Sequence, residues 1–312
     1  MLQRFWNAPY LLLIFATLFW GGNAVGARFF AGSVPPITLS LIRLTLSTLI
    51  ILPFIYPQLK REWGMAKKYY RLIVLLTVTG VAGFNLISYW AAHYTVAVNI
   101  SLLNSTTPFF MVILSYFLMK EKMNPKLVIP IGVSFLGILW IMTQGSWENL
   151  LRLQFNRGDV IMLVAVLFWA IYSIFIKKTG GAISSLSLLG YCSILGTLLL
   201  LPASYLELLS TPIKQIGPQE IIGLAYLGIF PSIGSFLFWN RAVLLVGPSR
   251  ASIFQNLIPI WGALLAFIIL GERLTGAHWI GGLLVFTGVF LSRAKSKSQE
   301  APSMNEPLRQ GS

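Results

Sequence analysis

Long apolar blocks, separated by short polar links, make up most of the chain. A helix needs roughly 20 apolar residues to cross the hydrocarbon core of a bilayer, and ten blocks approach this length. The longest link, residues 145–158, is too short to fold alone. The pattern therefore predicts an all-α integral membrane protein with ten transmembrane helices. The predicted spans are residues 9–30, 36–57, 71–92, 96–119, 126–144, 159–177, 185–207, 220–242, 249–271 and 275–292.

The second half of the chain repeats features of the first at a nearly constant offset. The triplet Leu18–Trp20 returns 149 residues later as Leu167–Trp169, while Pro108 returns as Pro259 after 151 residues. Each copy contains five spans, so the second copy must enter the membrane from the opposite side. Such inverted-topology repeats are typical of secondary transporters. A duplication that serves only stability is the alternative.

This repeat divides the chain into four predicted parts. Residues 1–144 form the first five-helix repeat and residues 145–158 a linker. Residues 159–292 form the second repeat. The polar tail, residues 293–312, is predicted to be disordered and cytoplasmic.

Composition and charge support a membrane protein. Hydrophobic residues make up 56% of the chain and charged residues only 10%, which is too few to cover the surface of a soluble domain. The net charge of +14 lies in short clusters between apolar blocks, so nucleic acid is not the expected partner. With both termini in the cytoplasm, 17 Lys and Arg residues fall inside and 5 outside. Cys192 is the single cysteine, which excludes a disulfide scaffold.

The chain resembles a ten-span, EamA-type member of the drug/metabolite transporter superfamily. This resemblance implies export of metabolites or amino acids across the bacterial plasma membrane, through a central cavity between the two halves. The residues that carry it are Leu18–Gly21, Leu41–Arg43, Pro108, Leu118, Glu121, Pro259, Leu270–Leu274, Gly281, Gly282 and Gly288.

The two matched prolines indicate where polar backbone groups lie within the membrane. A proline inside a helix leaves the carbonyl four residues earlier without its donor. Those carbonyls belong to Asn104 and Gln255, which also match each other and carry side-chain amides. Unsatisfied backbone groups at this depth are tolerated where they line a wet cavity. The alternative is a packing kink whose carbonyls are satisfied by neighbouring Ser or Thr hydroxyls.

Aromatic and amide side chains recur on the predicted first, third, sixth and eighth spans. Such faces suit a flat, amphipathic solute, because rings stack on it while amides bind its polar ends. The alternative is an interfacial aromatic belt. The set comprises Trp20, Asn23, Asn85, Tyr89, Trp169, Tyr172, Ser235 and Trp239.

Arg43 lies well inside an apolar stretch. Charges within the membrane are unfavourable and usually face the bundle interior, where they mark function. Arg43 is therefore a candidate to hold a substrate carboxylate or to form a gating contact. The alternative is that its side chain extends outward to the membrane surface, about 10 Å away.

The absence of certain ionisable side chains from the predicted spans limits the classes of function that fit the sequence. All nine acidic residues lie in loops, tails or span ends, so the embedded carboxylate of a cation/proton antiporter is not visible. Proton relay by His93 or His278 stays open, and no metal or other cofactor is expected. The sequence predicts a secondary transporter, not an enzyme, that exports small metabolites, above all aromatic or amphipathic amino acids. The alternatives are a broad-range exporter of amphipathic drugs and metabolites or, in other classes, a membrane enzyme or a channel.

Overall fold

The computed structural model describes residues 2–30, 33–92, 94–95, 100, 103–120, 125–152, 156–179, 181–214, 216–271 and 273–294. These residues form helices, turns and loops, and they contain no β-strand. Arg293 and Ala294, at the start of the predicted tail, still belong to the last helix. The rest of that tail lies outside the described residues.

Apolar helices follow one another closely in both halves. The helices of the first half are α1 (Leu2–Trp6), α2 (Pro9–Phe30), α3 (Pro36–Lys68), α4 (Tyr70–Leu76), α5 (Phe84–Ala92), α6 (Thr107–Met119) and α7 (Val128–Met142). After α8 (Trp147–Leu151), those of the second half are α9 (Arg157–Ile176), α10 (Ser185–Ser210), α11 (Pro218–Ile229), α12 (Phe236–Val246), α13 (Pro248–Ser252), α14 (Leu257–Leu270) and α15 (Gly276–Ala294).

Six described helical stretches are long and apolar enough to cross a membrane. They are Pro36–Lys68, Tyr70–Ser88, Arg157–Thr179, Ser185–Ser210, Pro218–Val246 and Pro248–Ile269. Four shorter apolar helices fall in other predicted spans, at Pro9–Asn23, Thr107–Met119, Val128–Met142 and Gly276–Leu291. The chain is therefore a multi-pass membrane protein with six long spans on this measure, where the sequence predicts ten.

Two stretches of π-helix interrupt the long helices. Thr77–Gly83 joins α4 to α5, and Phe230–Ser235 joins α11 to α12. Each inserts extra residues into a helical turn, which changes the direction of the side chains that follow. Single π-turns of this kind are frequent at functional sites.

Helices α7 and α15 pack tightly against each other through glycines. A Cβ atom on Gly137 of α7 would lie 2.6 Å from the carbonyl oxygen of Gly281 on α15. A Cβ atom on Gly288 would lie 2.5 Å from the carbonyl oxygen of Pro130. The contacts along α7 thus run backwards along α15, so the two helices are antiparallel and approach closely, as small residues allow.

A second antiparallel pair, α3 and α10, is tied together at both ends by carboxylates. The Glu207 carboxylate, near the end of α10, accepts hydrogen bonds from the backbone N–H groups of Ile37 (3.0 Å) and Thr38 (2.6 Å). The Glu62 carboxylate of α3 accepts one from the backbone N–H of Ser184 (3.0 Å), which precedes α10. Each acid satisfies N–H groups that a helix start leaves open.

Candidate functional site

A cavity of about 390 Å³ lies between helices of both halves of the chain. This volume falls in the range of small-molecule sites, about 300–1,000 Å³. Seven of the eleven predicted substrate-binding residues line the cavity: Trp20, Asn23, Arg43, Asn85, Asn104, Trp169 and Gln255.

One wall of the cavity is aromatic. The Trp20 and Trp169 rings meet edge to face with centroids 5.3 Å apart, and Phe236 packs 5.7 Å from Trp20. Phe84 completes the wall, 5.4 Å from Trp169. The rings come from α2, α5, α9 and α12, so the wall joins four helices. Such rings offer a flat apolar ligand both faces and edges.

Two further predicted site residues stand behind this wall. Trp239 is fully buried, lies 5.6 Å from Trp20 and donates a hydrogen bond to Ser173 Oγ (3.2 Å). Its burial places it in the core and not in an interfacial belt. Tyr172 packs on Trp169 and donates to Asn240 Oδ1 (2.8 Å). Neither side chain lines the cavity in this conformation; both hold the rings that do.

Ser235 and Tyr89 complete the predicted aromatic and polar set. Ser235 is buried and donates to the backbone carbonyl of Ala16 (2.9 Å), which ties the π-helix to α2. It is not among the described residues that line the cavity. The side chain of Tyr89 lies outside the described part of the structure.

Each predicted mid-span proline lies in the first turn of an α-helix, and only Pro108 follows a break in the helix. A turn at Ser105 and Thr106 interrupts span four, so Pro108 falls in the first turn of α6. Pro259 likewise falls in the first turn of α14, after a 3₁₀ turn, Ile253–Asn256. A first-turn N–H has no partner within the helix, so proline loses nothing there. The expected loss of a mid-helix bond is therefore wrong at Pro108, whereas at Pro259 the chain stays helical through the preceding 3₁₀ turn.

The carbonyl of Asn104 is also not left free. It accepts a hydrogen bond from Thr107 Oγ1 (2.5 Å), which is the packing alternative that the sequence left open. The side chains of Asn104 and Gln255 nevertheless line the cavity, next to the two helix starts. The N-termini of broken helices carry a partial positive charge that favours anionic groups.

Arg43 is buried inside the bundle, with 9% of its surface exposed. Its Nη1 donates to Asn23 Oδ1 (2.6 Å), and its Nε donates to Ser232 Oγ (3.3 Å). These two partners hold the guanidinium between α2 and the second π-helix, at the cavity wall. The side chain therefore does not extend to the membrane surface.

Asn85 and His278 add polar atoms to the lining. Asn85 Nδ2 donates to the backbone carbonyl of Val81 (2.8 Å). His278 Nδ1 accepts a hydrogen bond from the backbone N–H of Thr275 (3.1 Å). His93, the other histidine considered as a proton relay, lies outside the described residues.

Arg43 is the charged group among the described lining residues, and none of these residues is acidic. No group of three or more His, Cys, Asp or Glu side chains that could hold a metal ion comes together in the described part of the chain. The cavity thus combines one cation, four carboxamides and aromatic rings. This combination suits a ligand with a carboxylate and an apolar ring.

The lining also contains residues that the sequence analysis did not propose for the site. Phe84 and Met142 are two of them, and Phe84 belongs to the aromatic wall. Phe236, the direct neighbour of the predicted Ser235, also lines the cavity. Each phenylalanine directly follows a π-helix. A π-helix changes the helical periodicity, so a search for regular spacing does not select Phe84.

Comparison with known proteins places this geometry in a family. The EamA-like transporter family matches residues 7–143 and again residues 156–294. YyaM, an uncharacterised transporter of Bacillus subtilis, is 26% identical over 281 residues, which cover 90% of this chain and 92% of the relative. An uncharacterised transporter of Archaeoglobus fulgidus is 27% identical over 292 residues, with 93% and 98% covered. One solved crystal structure superposes with a TM-score of 0.76 at 18% identity, and the match covers 94% of this chain and 99% of that one. The last comparison shows a shared fold.

Proposed function

Since the chain belongs to the EamA-like transporter family, we propose that this membrane transporter exports amphipathic amino acids by alternating access through the cavity. The relatives carry transporter names, which agrees with a non-enzymatic role. The cargo that the cavity fits best is an aromatic amino acid. The observation that carries this proposal is the aromatic wall with Arg43 and the amides around one open volume.

We propose further that the chain has ten spans in two inverted five-helix repeats. The contact between α7 and α15 supports this arrangement. An offset of 151 residues converts Gly137 into Gly288 and Pro130 into Gly281. The two glycine contacts are then one contact seen from each repeat, and the helices that make it are antiparallel. A twofold axis perpendicular to both helices produces this pattern, and such an axis in the membrane plane inverts the repeats.

Two other features support the same symmetry. The α3–α10 pair is held by a carboxylate at each end, and one helix of each half supplies the acid. The π-helices Thr77–Gly83 and Phe230–Ser235 also fall in corresponding parts of the two halves. The family matches over residues 7–143 and 156–294 agree with repeats at 1–144 and 159–292 around a linker at 145–158.

The proposed orientation has both termini in the cytoplasm of a bacterial cell, with the chain in the plasma membrane. Its support is the distribution of Lys and Arg, 17 against 5. Export then moves substrate from a cytoplasmic to an outer opening of the cavity.

Within the cavity, we assign the charged and apolar parts of the substrate to different walls. The carboxylate lies towards Arg43, where a charge-assisted hydrogen bond contributes about 1.5–3 kcal/mol. The ring lies against Trp20 and Trp169. Asn104 and Gln255 bind the ammonium group through their amide oxygens. A cationic substrate that lacks a carboxylate is repelled by the Arg43 charge. Because the described lining contains no acid to offset this repulsion, binding of such a substrate is disfavoured.

Counterflow in proteoliposomes tests the proposal. Vesicles loaded with unlabelled phenylalanine are expected to take up labelled phenylalanine faster than empty vesicles, and phenethylamine is expected not to compete. Arg43→Gln should raise the KM for phenylalanine about 10- to 100-fold, in line with the loss of one charged hydrogen bond. Arg273→Gln removes an exposed positive charge outside the cavity and is the matched control.

Each outcome separates parts of the proposal. Absence of counterflow for every amino acid would refute the cargo but not the family. Equal competition by phenethylamine would refute the carboxylate assignment and favour the broad-range exporter. Because the described lining contains no acid, uptake is expected to be insensitive to a pH gradient. A gradient dependence that His278→Gln abolishes would instead show proton coupling.

A further inference from the structure

The C-terminal part of α3 extends beyond the length that a membrane needs. Its 33 residues would span about 50 Å at 1.5 Å per residue, against about 30 Å for the hydrocarbon core. This part and the start of α4 carry five exposed basic side chains, which we call the basic stripe. The stripe comprises Lys60, Arg61, Lys67, Lys68 and Arg71.

Helical spacing puts these charges on the side of α3 that faces away from the protein. Lys60 and Lys67 lie seven residues apart, two turns along the same face. Between them Gly64 has no protein atom within 4 Å of the position that a Cβ would take, so this face is open. On the opposite face, Leu59 and Ala66 are buried.

Aromatic side chains border the basic stripe. Tyr56, Trp63 and Tyr70 follow one another at seven-residue intervals. Between 53 and 60% of the surface of each residue is exposed. Lys67 Nζ lies 5.5 Å from the Trp63 ring centroid, and Arg71 Nε donates to Tyr70 Oη (3.0 Å). Exposed Trp and Tyr concentrate at the depth of lipid head groups, so they locate the stripe there.

The charge of the stripe is not neutralised by the protein itself. Glu62 is the acidic residue between Tyr56 and Arg71, and its carboxylate turns inward to accept hydrogen bonds from Ser184 and Gln58. None of the five basic side chains forms an ion pair with a residue that the structure describes. The surface therefore offers five positive charges at the membrane boundary.

We propose that the basic stripe is a binding site for the phosphate head groups of anionic phospholipids. The Lys and Arg side chains bind the phosphate oxygens, while the aromatic border packs on the glycerol region and the first acyl carbons. Clusters of four or more basic residues beside a membrane helix attract anionic lipids in this way. The site is separate from the transport cavity, so it does not depend on the identity of the cargo.

The test is a lipid titration of the purified full-length protein in neutral detergent. Phosphatidylglycerol or phosphatidylcholine is added, and thermal unfolding is followed by tryptophan fluorescence. Phosphatidylglycerol should raise the Tm at concentrations at least tenfold lower than phosphatidylcholine. The variant Lys60→Gln/Lys67→Gln/Arg71→Gln should need on the order of 100-fold more phosphatidylglycerol, from about fivefold per charge. Lys120→Gln/Lys177→Gln/Lys178→Gln removes equal charge elsewhere and should behave as the wild type.

A single substitution provides a second test if the triple variant does not insert into the membrane. Gly64→Glu puts a negative charge in the open part of the stripe and should weaken the response about fivefold, whereas Gly64→Gln should not. An unchanged response of Gly64→Glu, or of the triple variant, would overturn the proposal. Equal stabilisation of the wild type by inorganic phosphate would show a soluble-anion site and would overturn it as well.

Discussion

Trp169 of α9 is the residue that connects the rings of the aromatic wall. Its ring contacts Trp20 of α2, Phe84 of α5 and Phe236 of α12, and the Tyr172 ring supports it from behind. Only 7% of its surface is exposed. Because the remaining surface is fixed by neighbouring rings, the exposed edge is held in place before any substrate arrives. Rigid placement of this kind reduces the entropy lost on binding.

At this scale we expect Trp169→Ala to weaken substrate binding. Loss of the ring contact should raise the KM for phenylalanine about 3- to 10-fold, since an aromatic pair contributes about 0.5–1.5 kcal/mol beyond burial. The measurement is initial counterflow rate against phenylalanine concentration. Trp90→Ala is the control, because Trp90 is 55% exposed and does not line the cavity. Equal KM values in both variants would remove the aromatic wall from the site.

At the scale of elements, the first N–H groups of each helix need hydrogen-bond acceptors from outside that helix. The α3–α10 pair shows how side chains provide them. Glu207 accepts two backbone N–H groups and the Thr38 hydroxyl (2.8 Å). Thr38 also shares a hydrogen bond with Ser204 Oγ (2.9 Å). A network of this kind joins the start of one helix to the end of another, so that the pair behaves as one body.

Removal of the Glu207 carboxylate should therefore destabilise the protein. Glu207→Ala leaves the backbone N–H groups of Ile37 and Thr38 without their acceptor, at a cost of about 1–3 kcal/mol. Thermal unfolding in detergent measures the change in Tm. Glu148→Ala should change stability by less than about 1 kcal/mol, since the Glu148–Arg152 pair is solvent-exposed. A loss of stability in Glu148→Ala as large as that in Glu207→Ala would contradict the role assigned to the Glu207 carboxylate.

In the α7–α15 pair, the close approach of the two helices depends on glycines at the contact. Gly288→Ala places a Cβ against Ser134 and Pro130, and the overpacking should cost about 1–3 kcal/mol of stability. Gly132→Ala, also in this helix pair, meets no atom within 4 Å and should be neutral or slightly stabilising. Thermal unfolding of the two alanine variants under the same conditions separates tight packing from a general intolerance of alanine.

For the whole molecule, topology is the property to test. Cys192 is the single cysteine and is buried, so introduced cysteines can be followed in a Cys192→Ser background. The proposed orientation puts Glu148 outside and Gly64 inside, and both positions are exposed. A membrane-impermeant maleimide should label Glu148→Cys in intact cells, and Gly64→Cys only after permeabilisation. Labelling of both positions from the same side would refute the inverted arrangement.

The sequence was sufficient for the family and for seven of the residues that line the cavity, and the comparisons confirm the EamA-type resemblance. Trp20, Asn104 and Gln255 were found because the repeat shows which positions recur. The helix break before Pro108 and the 3₁₀ turn before Pro259 were not predicted, because a proline in a long apolar block fits a kink as well as a helix start. Phe84 was missed because the preceding π-helix alters the periodicity. The direction of Arg43 depends on Asn23 and Ser232, which no local pattern links to it.

The pairing of α7 with α15 also has a consequence for biosynthesis. The partners are separated by more than 130 residues, so the ribosome completes α7 well before Gly281 and Gly288 exist. At a synthesis rate of about 5–20 residues per second, the face of α7 that carries Gly137 stays without its partner for on the order of ten seconds. During that time lipid, or another newly made helix, occupies the groove. A ribosome that stalls before α15 therefore leaves a protein in which the glycine face of α7 is not covered by its partner helix.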